Sequence, residues 1–213
     1  MNAQEISTGN RRRKYDLFLN VLNPSEQDTI LDVGFSNIEY SEVDNYLEKN
    51  YPFQKNITAL GIDEPDLFQS RYPDVNVIRY DGKKFPFSDK SFDIGWSNAV
   101  IEHVGNEEKQ ILFLKELRRT CNTVYFTTPN RWFPFELHTR LPLLHWLPKR
   151  FFDTLLSFTS KKWATNDYMH LLSESKLKKI LKKAEITQYR IYRNKFMGFT
   201  MDFCVIILNE NLA

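Results

Sequence analysis

Three short apolar runs in the first half of the chain each lead into an aspartate, and this repeated ending constrains the fold more tightly than any other feature. The first is Thr29-Ile30-Leu31-Asp32-Val33-Gly34-Phe35-Ser36-Asn37. The second covers residues 57–63 and ends at Asp63; the third covers residues 75–81 and ends at Asp81. Short, β-branched runs bounded by turn formers predict strands buried on both faces, as in a parallel sheet. A carboxylate at the end of such a strand is costly unless a cation or a hydrogen-bond donor meets it. Three of them on successive strands draw a line of acceptors along the carboxyl edge of an open α/β sheet, where such sheets bind ligands. Gly34 follows the first acid and allows a tight turn and a close approach of ligand to backbone.

Helical patterns separate these strands. Residues 15–22 form an amphipathic helix ending at Asn23-Pro24, with Arg11-Arg12-Arg13-Lys14 leading in and residues 1–10 polar and loose. Residues 41–48 read as a helix with Ser41 as N-cap, and residues 65–72 as a short one. A fourth strand covers 92–97, a helix 106–119, and a fifth strand 123–128, stopped by Pro129. After residue 170 a helix over 173–184 precedes two strands, 186–193 and 199–208, whose short connection predicts an antiparallel hairpin at the sheet edge. The expectation is an α/β, doubly wound, mostly parallel sheet forming a single domain over 1–213. An irregular segment, rich in aromatics, proline and basic residues, is inserted at about 130–165.

A formal net charge of +2 argues against bulk nucleic-acid binding through the whole surface. Cys121 and Cys204 lie in strand-like apolar runs and read as buried free thiols in a reducing cytosol. The polar, then basic, start shows no signal peptide, and no apolar run reaches the ~20 residues of a membrane span. A cytoplasmic location is expected.

The line of acids suits a ligand carrying an ammonium group, a ribose diol and an exocyclic amine. Neither a GxGxxG run nor the lysine of a phosphate-binding loop is present, so a pyrophosphate cofactor is poorly served. S-adenosylmethionine fits, being cationic and free of phosphate; no metal is called for. In four segments the chain resembles the class I S-adenosylmethionine-dependent methyltransferases of the small-molecule, type 11-like group. They are Ile30-Leu31-Asp32-Val33-Gly34, Leu60-Gly61-Ile62-Asp63, the stretch 80–93 that opens Tyr80-Asp81-Gly82, and Ala99-Val100-Ile101-Glu102-His103-Val104. The resemblance implies a seven-strand methyltransferase fold. It implies that Asp32 and Gly34 line the methionine and ribose part, that Asp63 binds the ribose hydroxyls, and that Asp81 accepts from the adenine amine beside Gly82. Ser97 and Asn98 would face the methyl-transfer site. Charge-assisted bonds of this kind are worth roughly 1.5–3 kcal/mol each. The first loop departs from the family pattern. Phe35-Ser36-Asn37-Ile38 follows a single glycine, Ser36 adds a Cβ where backbone usually hugs the cofactor, and Asn37 is the residue there that tolerates a positive φ.

The Asn-Pro-Pro-Tyr tetrad of enzymes that methylate planar amines is absent; Ser97-Asn98-Ala99-Val100 stands in its place, arguing against a DNA target. The acceptor site is expected in residues 130–140, with Arg131, Trp132, Phe133 and, further on, Trp146 against the substrate. His138 is the candidate base, helped by Glu136 or His103; the competing reading makes both histidines structural. Residues 141–152 combine apolar surface with basic residues, which suits a lid, a homodimer contact or a peripheral membrane contact. The lysines among residues 176–183 form the solvated face of an amphipathic helix. The functional expectation is O-methylation of a small molecule such as a sugar or lipid-linked intermediate. The alternatives are a non-catalytic binding module on the same fold, or a methyltransferase acting on RNA or protein.

Overall fold

The computed structural model describes residues 3–135, 146, 150, 151, 154 and 169–208. Its elements in chain order are α1 (Ala3–Leu22), β1 (Ile30–Val33), α2 (Tyr46–Asn50), β2 (Ile57–Gly61), α3 (Asp66–Arg71), β3 (Asn76–Arg79), β4 (Phe92–Asn98), α4 (Glu107–Thr120), β5 (Cys121–Pro129), α5 (Glu174–Lys183), β6 (Tyr189–Phe196) and β7 (Phe199–Ile207). The seven strands form one sheet in the order β3-β2-β1-β4-β5-β7-β6. The first five pair in parallel, β7 lies antiparallel to β5, and β6 pairs antiparallel to β7 at the edge. This is the expected doubly wound sheet with its closing hairpin. Met197 (φ 49°) and Gly198 (φ 85°) alone make the connection, because two consecutive left-handed residues turn a chain with the twist of the flanking strands.

Alternate residues of each central strand feed two cores. On one face Ile30, Ala59, Trp96 and Tyr125 pack against Tyr15 and Phe18 of α1, Leu47 of α2 and Phe68 of α3. On the other, Leu31, Val33, Val124 and Phe126 pack against Leu114 and Leu117 of α4 and Leu177, Ile180 and Leu181 of α5. Each such fully buried side chain contributes roughly 1.5–3 kcal/mol of transfer free energy. Helix starts are set by side-chain caps: Asn106 accepts from Lys109 N (3.1 Å) and Ser173 from Lys176 N (3.3 Å). Lys178, Lys179, Lys182 and Lys183 are exposed, as their spacing predicted.

Two helices differ from the sequence expectation, each for a polar reason. Residues 3–10, read as loose, continue α1 because its buried face there is polar. Lys14 Nζ lies 3.4 Å from Asp202 Oδ1 with the two side chains only 3% and 1% exposed, and Asn194 bonds Asn10, Asp202 and Arg13. Hydrophobic periodicity cannot register such a face. Between residues 41 and 45 the predicted helix is a turn instead. The Asp44 carboxylate accepts from Tyr40 N (2.8 Å) and Ser41 N (2.9 Å), and Asn45 turns left-handed (φ 47°) before α2 begins.

Candidate active site

Every parallel strand points its carboxyl end to one edge, and the antiparallel β7 begins there, since Pro129 is paired with Asp202. Asp32 sits one residue from the end of β1, 6% exposed, beside Trp96 and on the same face as Ile30. Gly34 then leaves the strand at φ 108° with its amide donating to Leu60 O (2.8 Å) and its backbone open to solvent. A Cβ at this position would stand 2.3 Å from Val100 Cγ2, so only glycine fits.

The glycine-poor loop is rebuilt by side chains. Phe35 turns inward, 5% exposed, with its ring 4.6 Å from Phe68 and pressed over Gly61, where a Cβ would meet it at 2.6 Å. Ser36 N donates to Asn45 Oδ1 and Asn45 Nδ2 returns a bond to Ser36 O, both 2.8 Å. Asn37 does not take the positive φ expected of it; the left-handed positions around this loop are Gly34 and Asn45. Its Oδ1 instead accepts from Leu67 N and Phe68 N (both 2.9 Å), tying the loop to the start of α3. Ser36, Asn37, Ile38, Tyr40, Asp63 and Glu64 line a cavity of about 320 Å³. Asp63 is exposed within it, whereas Glu64 is engaged by Arg79. Asp81 is exposed at the next strand end, accepting from Lys83 N (3.0 Å), and Gly82 follows at φ 78°. A larger groove of about 650 Å³ beside Phe85, Phe87 and Arg119 lies toward the opposite edge. There Arg119 is already committed to Glu116, Asp89 and two carbonyls.

At the end of β4, Ser97 is buried and its Oγ donates to Val33 O (3.0 Å), while Asn98 Oδ1 accepts from Thr127 (2.7 Å). Ser97 thus spans β1 and β4 rather than presenting its hydroxyl to a ligand. Glu102 is wholly buried: Oε2 accepts from Thr128 (3.0 Å), and Oε1 accepts no hydrogen bond but lies 4.0 Å from His103 Nε2. Past β5, Asn130 is pinned to Met201 O and Thr200 O, and Trp132 N donates to its Oδ1. Arg131 lies over the exposed Trp132 ring (5.6 Å), which meets Trp146 edge-on at 6.1 Å; Phe133 is buried. His138 and Glu136 lie outside the described residues, as does the segment 141–152 apart from Trp146, Arg150 and Phe151.

Two charged residues of this edge escaped the sequence reading. Glu48 of α2 is wholly buried against Asp32, and its carboxyl oxygens meet no donor beyond Asp32 and the residue's own amide. Burial first, then the charge and hydrogen bonding of Glu48, push the Asp32 carboxyl well above the usual range; Arg11 pulls the other way. Burial raises Glu48 as well. Arg11 keeps some solvent access, yet desolvation lowers its pKa against the pull of Asp202, Asp44, Glu102 and Asp32. Its place has a sequence signal: Arg11, Lys14, Tyr15 and Phe18 are spaced i, i+3, i+4, i+7, so the apolar stripe of α1 runs back onto two cations. Burial pushes Cys121 up to about 12 and Cys204 up to about 11, so neither thiol is a nucleophile. Among the described residues no cluster of three or more His, Cys, Asp or Glu is set to hold a metal ion, and no helix is long and apolar enough to cross a membrane.

This edge fits S-adenosylmethionine on the structure's own terms. A buried acid pair answered by one shared cation, Arg11, leaves a negative charge for an ammonium to meet, and open backbone at Gly34 admits a close approach. Residues 31–123 match the model of a family described as a methyltransferase domain. A SAM-dependent methyltransferase from Methanosarcina mazei superposes with a TM-score of 0.58 at 16% identity, over 90% of this chain and 98% of its own. The N-terminal domain of EvdMO1, solved with SAH bound, gives 0.57 at 14%, over 94% and 81%. The CurJ carbon methyltransferase gives 0.57 at 14%, over 93% of this chain and 53% of its own. At such identities the likeness to these structures is one of fold. No curated protein matches the chain by sequence. With its sheet order, its acids at three strand ends and a family match across four of the parallel strands and into the fifth, the chain has the methyltransferase fold and over residues 31–123 is similar to the methyltransferase-domain family.

Proposed function

We propose that the chain methylates a hydroxyl of a small molecule, such as a sugar or a lipid-linked intermediate, in the cytoplasm. The observation that carries this reading is the buried Glu102 carboxylate facing His103 across 4.0 Å at the end of β4. An oxygen acceptor loses a proton as it gains a methyl group, and a carboxylate beside an imidazole is built to take one. S-adenosylmethionine supplies an electrophilic methyl on sulfur when bound. Asp32 and Gly34 hold its amino-acid end and Asp63 its ribose. Asp81, with Gly82, holds its adenine, and Asn98 the space beside the reacting atoms. His103, with His138 as the candidate partner from the inserted segment, receives the proton of the acceptor hydroxyl. The exposed rings of Tyr40, Trp132, Phe135 and Phe199 lie around the same edge and support an acceptor with an apolar part.

A second reading, a binding module without catalysis, is favoured by one feature. The Ser36 amide, which a glycine loop would leave for the cofactor, is taken up by Asn45. Calorimetry with S-adenosylhomocysteine separates the two. Binding is expected, and its absence at millimolar ligand would overturn the enzyme reading.

Asp63→Ala is expected to weaken that binding by more than about 1.5 kcal/mol, because two hydroxyls lose a charged acceptor. Glu64 is a poor substitute while Arg79 holds it. An unchanged dissociation constant in the Asp63 variant, with a loss in Glu64→Ala, would reassign the ribose site to Glu64.

A further inference from the structure

We propose that Asp32 and Glu48 share a single proton in the free protein and that the ammonium group of the cofactor displaces it, so that binding releases a proton to solvent. The inference rests on the cofactor reading above and adds Glu48 as a positioning residue. Asp32 comes from β1 and Glu48 from α2; they are 6% and 0% exposed, and they meet each other in the interior. An ionised carboxylate only accepts hydrogen bonds, so two in contact repel unless a proton lies between them. Beyond Asp32 and its own backbone amide, Glu48 has no hydrogen-bond donor to relieve this.

The charges around the pair leave the proton in place. Arg11 of α1 is the cation acting on Asp32, and it also answers Asp202, Asp44 and Glu102. Asp202 is bound to Lys14, and the Asp44 carboxylate to the amides of Tyr40 and Ser41. Lys49 acts on Glu48 from the same helix, but its ammonium is bonded to Glu39 (2.9 Å), which pushes the other way. Tyr72 gives its hydroxyl proton to Glu39 rather than to Glu48. Arg11 therefore balances one negative charge, and the second carboxyl stays neutral. A bound amino acid changes this account. Its ammonium is a second cation beside Asp32, so that with Arg11 each of the two carboxylates faces one positive charge and the proton leaves.

The test is calorimetry with wild-type protein in buffers of different ionisation enthalpy, repeated from about pH 5.5 to about pH 8. With S-adenosylhomocysteine, about one proton should leave per ligand bound while the pair is protonated. Affinity should then rise about tenfold per pH unit until the pair has titrated. With 5′-methylthioadenosine, which has no amino-acid end, binding should release none. Glu48→Gln should bind S-adenosylhomocysteine with less proton release and a shallower pH slope, since Arg11 then faces one carboxylate instead of two while burial still holds Asp32 up. Binding without release at every pH, or equal release with both ligands, would overturn the proposal and leave the cofactor reading standing. Absence of binding would overturn both. If the variant does not fold, the comparison of the two ligands on the wild type decides.

Discussion

Asp202→Ala is expected to cost about 3–5 kcal/mol of folding stability, because it leaves the Lys14 ammonium buried without its counter-charge. Burial first, and then the charge of Arg11, lower the pKa of Lys14, and Asp202 is the main influence that holds it up. Without that influence the folded protein binds the proton less tightly than the unfolded chain. Stability of the variant should therefore rise as pH rises toward the ordinary lysine range, where the unfolded chain gives up its proton too. Lys14→Met added to Asp202→Ala should recover half of the loss or more, since no charge is left stranded. Denaturation midpoints for the two single variants and the double decide this. A cost of under about 1 kcal/mol for Asp202→Ala would mean that water reaches Lys14 and the pair is not a buried one.

Gly34→Ala should be nearly as damaging, by about 2–4 kcal/mol, and should also abolish tight binding of S-adenosylhomocysteine. Two costs combine. The new Cβ would collide with Val100 Cγ2 at 2.3 Å, and a φ of 108° lies beyond the left-handed well that L-residues enter. The first is steric and the second conformational, so they separate. Val100→Ala in the Gly34→Ala background should restore the steric share and none of the backbone share. Complete recovery in the double variant would show that the turn tolerates a side chain, and that Gly34 is needed for space alone.

What the sequence made legible follows from where burial is apolar. The central strands declare themselves because both their faces are buried, so β1, β2, β4 and β5 appear as runs of Ile, Leu, Val, Phe and Tyr with sharp ends. Asp32, Asp63 and Asp81 mark the carboxyl edge because an acid interrupts such a run conspicuously. Where burial is polar, the pattern is silent. Asn10 and Lys14 hide the first turns of α1, and Arg11 sits in a run of four cations that resembles a solvated surface. Glu48, between Leu47 and Lys49, looks like any exposed helix position, yet it is wholly buried. Hydroxyl and amide groups are ambiguous in another way. The types at Ser36 and Ser97 suit a ligand, but only the fold shows that Asn45 takes the Ser36 amide and Val33 the Ser97 hydroxyl.

The contact between Lys14 and Asp202 joins positions 188 residues apart in sequence. On a ribosome adding about 5–20 residues per second, α1 therefore emerges roughly 10–40 s before the strand that anchors its polar face has been made. Throughout that interval Tyr15 and Phe18 can settle on β1 and β4, but the lysine between them and Arg11 has no acid from β7 to meet. In the proposed binding mode the amino-acid end of the cofactor site shares that acid through Arg11. A nascent chain thus completes this end of the site only once β7 has been made, so that the cofactor meets the finished anchor late in folding.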